Sequence, residues 1–119
     1  MLLLTSTSDQ LQVITGAAAT IDIHASWVDI TPSTGAIVPG RLNTALLTAS
    51  TTSIAGSPGA STQRNVKSVH VFNKDAAASC SITLQTVDGT GTYPFYSVSL
   101  TPGSMIEVTD MGGIRLVQP

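Results

Sequence analysis

RNVKSVHVFNKDAAASCSITLQTVDG, Arg64 to Gly89, is the stretch whose reading decides the fold class. Val66, Val69, Val71 and Phe72 stud its first half, and Ile82 and Leu84 alternate in its second, a spacing that belongs to strands and not to helices. The polar segment between the two halves is expected to join them into a central hairpin. Asp88-Gly89 then supplies the turn chemistry for a further antiparallel strand.

Working outward, the same pattern recurs in both directions. Gln10–Thr15 places Leu11 and Val13 on one face, and Thr20–Val28 sends Ile21, Ile23, Ala25 and Trp27 one way and Asp22, His24 and Ser26 the other. Trp27, the only tryptophan, is therefore read as a core plug in preference to an aromatic ligand platform. Asp29–Arg41, DITPSTGAIVPGR, holds two prolines and two glycines among hydroxyl residues, and is expected to be a long contact-making loop. Leu42–Ile54 is expected to be one strand on the strength of its Thr run, followed by the punctuation GSPGAST at Gly56–Thr62.

On the C-terminal side, Thr90–Leu100 reads as a strand in which Pro94 demands a strand start, a bulge or a sheet edge. Thr101-Pro102-Gly103-Ser104 has the type II turn signature, Met105–Thr109 is a strand, Asp110–Gly113 turns again, and Ile114–Val117 closes the chain. The opening apolar triplet in Met1–Ser8 is expected to be an edge strand or an intersubunit arm, because each Leu gains about 1.5–3 kcal/mol by being buried. The count is eight or nine short strands separated by Gly- and Pro-rich turns. That predicts one all-β domain over residues 1–119, an antiparallel β-sandwich or jelly-roll-like fold. No internal repeat is evident.

Composition narrows the function classes. At 119 residues the chain is the size of one domain, and it can bury a core without cross-links. Charged residues are 10% of the chain while Ser and Thr make up roughly a quarter, so its polarity rests on hydroxyls, which are cheaper to bury against a neighbour than ionised groups. A net charge of −2 with scattered basic residues lacks the field that nucleic-acid binding requires. MLLL is too short for a secretory core and no run reaches the roughly 18 apolar residues of a membrane span, so the mature chain is expected to be the whole chain, with no membrane partner.

Cys80, the only cysteine, is expected to be a small core residue. Asp22 and His24 share a strand face as a possible two-ligand metal corner, but a third ligand is not legible, and a pair of solvent-facing polar residues is the preferred reading. His70, among valines, is read as an interior or interface histidine. There is no Gly-x-Ser-x-Gly elbow, no phosphate-cradling glycine loop and no Cys–His pair in readable context. The expectation is a non-enzymatic protein with no cofactor, no metal and no small-molecule substrate.

Three stretches together carry a family resemblance: LLLTSTSDQLQVITGAAATIDIHASWVD, QRNVKSVHVFNKDAAASCSITLQTVDGT, and the Leu100-Thr101-Pro102-Gly103 strand end leading to VTDMGGIRLV. In order and spacing they resemble a family of small structural proteins of tailed bacteriophages, with departures at Ile114, where an aromatic is usual, and at Asp75 and Cys80 in the central loop. The resemblance implies a virion component made in the bacterial host cytoplasm. Its first implication is a capsid decoration, or cement, protein on the capsid exterior, a homotrimer that bridges neighbouring major capsid subunits. A tail, baseplate or fibre module is the alternative, and a carbohydrate-binding β-sandwich using Trp27, Tyr93 and Tyr96 stands outside that class. The contact residues expected on this reading are Leu2, Leu3 and Leu4 of the arm, and Ile30, Pro32, Ile37, Val38, Pro39 and Arg41 of the loop.

Overall fold

The computed structural model describes residues 2–110 and 113–119, and those residues form ten strands in two antiparallel sheets. The strands are β1 (Leu2–Leu4), β2 (Gln10–Thr15), β3 (Ile21–Thr31), β4 (Ala36–Leu46), β5 (Ser50–Ala55), β6 (Gln63–Asn73), β7 (Cys80–Val87), β8 (Thr92–Leu100), β9 (Met105–Thr109) and β10 (Gly113–Val117). One sheet has the order β10-β9-β6-β3-β4, with β1 also paired to β6, and the other has the order β5-β2-β7-β8. The sequence-predicted sandwich is thus observed.

Alternation explains the layering. The larger sheet turns Ile21, Ile23 and Ala25 of β3, Val69 and Val71 of β6, and Ile106 and Val108 of β9 inward. Leu11 and Val13 of β2, Ile82 and Leu84 of β7, and Leu100 of β8 meet them from the smaller sheet. Cys80 lies in this core, its thiol directed at the Ala17 carbonyl at 3.5 Å, as its reading as a small apolar residue predicts.

Four sequence-based expectations need correction. The stretch Arg64–Gly89 is not a hairpin: β6 belongs to the larger sheet and β7 to the smaller, and the chain arches from one to the other. Both strands bury one face, and two such faces are covered at once when they are stacked across the core instead of laid side by side. The arch is built from side chains. Asn73, fully buried, donates to the carbonyls of Ala78 and Leu100 at 2.9 and 2.8 Å, and its own oxygen accepts from the Asp75 N–H. The Asp75 carboxylate accepts from the N–H groups of Ala77, Ala78 and Thr20.

Second, Asp29–Arg41 is not a loop but most of a hairpin. β3 and β4 pair in continuous register from Ile21↔Leu46 to Thr31↔Ala36, leaving Pro32–Gly35 as the turn. Gly35 closes it at φ +73° with its N–H on the Thr31 carbonyl, a left-handed position that suits glycine. Pro39 and Gly40, which read as loop punctuation, are tolerated because β4 is an edge strand. Third, Leu42–Ile54 is two strands, the end of β4 and β5, which raises the count to ten. Fourth, of the two expectations for the opening triplet the strand is observed and the arm is not: β1 pairs antiparallel with β6 through Leu2↔Val66 and Leu4↔Arg64, and Leu4 is buried in the chain's own core. Met1, the other residue of that expected arm's apolar start, lies outside the described residues.

The expected turn at Thr101–Ser104 and the expected setting of Pro94 hold. Thr101–Ser104 closes through the Ser104 N–H on the Thr101 carbonyl with Gly103 at φ +81°, and Pro94 sits on edge strand β8 beside a bulge that skips Phe95. Of the expected turn Asp110–Gly113, Met111 and Gly112 lie outside the described residues, while the pairing of β9 with β10 on either side is observed.

Candidate functional site

The β3–β4 hairpin forms one edge of the larger sheet, and only Thr31 and the turn Pro32–Gly35 lie past the end of the pairing of β3 with β6. β6 covers β3 up to Ile30, but β4 has no strand on its outer edge, and most of its residues are exposed. Because directly paired residues share a face, the register fixes what each face presents. On the outer face Ile30 lies opposite Ile37, and Val28 opposite Pro39, which makes an apolar patch of four side chains near the tip. Ile37 is 67% exposed, so this patch is open to contact. On the inner face Val38 at 59% and Leu42 at 40% extend beyond the cover of the smaller sheet.

The tip end of the hairpin is held against the rest of the sandwich. Arg64 makes a two-pronged ion pair with Asp29 at 2.8 and 2.9 Å, and donates to the Gly56 carbonyl at 2.8 Å, which joins the larger sheet to the end of β5. Its guanidinium lies 4.4 Å above the centre of the Trp27 ring. On the neighbouring strand the ring rests on Gly40, where a Cβ would collide with the indole nitrogen. Charge-assisted bidentate pairing, stacking and a side-chain-free glycine together hold this end of the hairpin against β6 and the end of β5.

Beyond the patch the outer face becomes polar, and its rows can be read straight across the sheet. Arg41, Ser26, Ser68 and Thr109 form one row, with the Ser26 and Ser68 hydroxyls 2.7 Å apart. Asn43, His24, His70, Glu107 and Arg115 form the next, one residue from each of five strands. Its ends are tied: His24 Nδ1 is hydrogen-bonded to Asn43 Oδ1, and Arg115 pairs with Glu107 at 3.1 Å. A shallow groove of about 400 Å³ runs over the centre of this row between Phe72 and Ala45. The outer face of the smaller sheet is an amide and hydroxyl surface, with Gln85 donating to Gln12 at 2.8 Å and Thr83 beside Ser97 at 3.0 Å.

The sequence-predicted contact residues separate into two sets. Ile30, Pro32, Ile37, Val38, Pro39 and Arg41 lie together on the edge hairpin of the larger sheet, Ile30 half-buried and the others exposed. The opening triplet is divided: Leu4 is removed from any interface by burial, Leu2 packs against the core, and only Leu3 is exposed, at 53%. Val28 and Leu42 belong with the first set and were missed. The signal was available as alternation of Val28 with Ile30 and of Ile37 with Pro39, masked by reading the segment as a loop. Trp27, Tyr93 and Tyr96 do not converge, since Trp27 lies on the larger sheet beneath Arg64 and the tyrosines lie on β8 in the other. Asp22 is paired with Lys74 at 2.9 Å, and among the described residues no three His, Cys, Asp or Glu side chains cluster as a metal site. Among the described residues no helix is long and apolar enough to cross a membrane.

Comparison with known proteins gives no match: no family model fits the chain, and no curated protein or solved structure is significantly similar to it.

Proposed function

We propose that this protein is a non-enzymatic virion component of a tailed bacteriophage, a decoration protein that grips the capsid exterior and ties neighbouring major capsid subunits together. The observation that carries the reading is the β3–β4 hairpin, with Val28, Ile30, Ile37 and Pro39 on one face and Val38 and Leu42 on the other. An apolar patch of this kind on a protein with so few charges is suited to burial against another protein. The family resemblance over the three quoted stretches names the setting. Attachment as a homotrimer over symmetric junctions of a shell would multiply modest contacts, because each further protomer that engages binds at high effective concentration.

The test is direct. Purified protein is added to heads of the encoding phage from which it has been stripped, and bound protein is quantified after sedimentation. Saturable binding to heads in the many copies that shell symmetry demands supports the reading. Copurification with tails in few copies moves the protein to the tail, baseplate or fibre, and absence from particles overturns the virion assignment altogether.

A further inference from the structure

We propose that His24 and His70 form a two-nitrogen chelating site for a late first-row divalent ion, Cu²⁺ or Zn²⁺, on the outer face of the larger sheet. They are directly paired residues of β3 and β6, and both line the groove over the central row. Side chains directly opposite each other on antiparallel strands have Cβ atoms about 4.5–5.5 Å apart, close enough for two imidazoles to converge on one ion at about 2.0–2.1 Å from each nitrogen. Neighbouring Val69 and Val71 are buried, which fixes the direction of the His70 ring by alternation, as Ile23 and Ala25 do for His24.

A second observation points to a ligand. The Asn43 Oδ1 acceptor holds the proton of His24 on Nδ1, and so leaves the Nε2 lone pair of that ring as the donor atom. This is the outer-shell arrangement that orients metal-binding histidines and raises their basicity. Of the charged neighbours on this face, Asp22 is matched with Lys74, Glu107 with Arg115 and Lys67 with Asp110, and Arg41 stands in the adjacent row as a further cation. Imidazole ligands favour copper and zinc over magnesium or calcium, with Cu²⁺ bound the more tightly of the two. With two protein ligands the remaining positions stay open to water or to a side chain of a neighbouring molecule. The inference is independent of the docking reading above.

Untagged protein is titrated calorimetrically with Cu²⁺ and separately with Zn²⁺ in neutral, non-chelating buffer, alongside His24→Asn, His70→Asn and Asn43→Leu. One ion per chain is expected, with Cu²⁺ tighter, and affinity should fall by at least about tenfold in either histidine variant and by about tenfold in Asn43→Leu. On the unaltered protein, Zn²⁺ should shift the ring resonances of both histidines together, a readout independent of whether a variant folds. Absence of binding, full affinity retained in His70→Asn, or resonance shifts confined to one ring would overturn the proposal.

Discussion

Asp75 shows how much one short side chain does in this molecule. Its carboxylate gathers the N–H groups of Ala78, Ala77 and Thr20, and these bonds, that from Ala78 foremost, lower its pKa to about 2. Asp88 and Asp9 act similarly in other turns, the first held low chiefly by the Thr90 N–H and the second by that of Thr5. A group whose pKa is depressed on folding contributes stability that is fully present above its unfolded value and is lost as pH falls through the folded one. Asp75→Asn should therefore destabilise the protein at neutral pH and flatten the decline in stability between about pH 4 and about pH 2 relative to the unaltered chain. Denaturant melts across that range check this, and identical pH profiles would contradict it. Gly40 offers the complementary test. The Trp27 ring has Gly40 on one strand and Arg64 stacked on it, so Gly40→Ala forces the indole out and should cost about 1–3 kcal/mol. Because Trp27 is the only tryptophan, a change in its fluorescence should accompany the loss.

At the scale of the element, β1 and the β3–β4 hairpin are both paired strands where an arm and a loop were the contact elements expected. The apolar triplet Leu2–Leu4 is integral to the fold, and the Pro- and Gly-containing segment forms the exposed edge strand and turn of the larger sheet. Leu4→Ala should cost about 2–5 kcal/mol by opening a cavity beside β6, and deleting residues 1–8 should lower the melting temperature as well as any attachment. Ile37→Ser with Val38→Ser should change stability by no more than about 0.5 kcal/mol, since both side chains are mostly in water, so that any loss of binding in that variant reports on contact. Much of this was legible beforehand. The inward alternation of Ile21, Ile23 and Ala25, the Pro102-Gly103 turn and the edge placement of Pro94 follow from local chemistry. The hairpin was hidden because Pro39 and Gly40 disfavour an interior strand, and nothing local says that β4 lies at an edge. The sheet change between β6 and β7, and the meeting of His24 with His70, depend on pairings between distant segments, which a period of two along one strand cannot specify.

For the molecule as a whole, two sheets closed on an aliphatic core leave three kinds of surface: a hydroxyl and amide face on the smaller sheet, a polar row with two histidines on the larger, and an apolar hairpin tip. The tip groups exposed Ile37, Val38 and Pro39 on adjacent positions of one paired strand. The proposed assembly role places its demands on shape and symmetry instead of chemistry, and a low-charge surface with an exposed apolar hairpin tip is compatible with it. On the function proposed above, the tip of this hairpin is the attachment element. Quantitative sedimentation of stripped heads with the unaltered protein and with the Ile37→Ser, Val38→Ser double variant tests it most directly. The account predicts saturable binding of the first and at least about a tenfold weaker affinity for the second at unchanged stability. Equal binding by both proteins would contradict it.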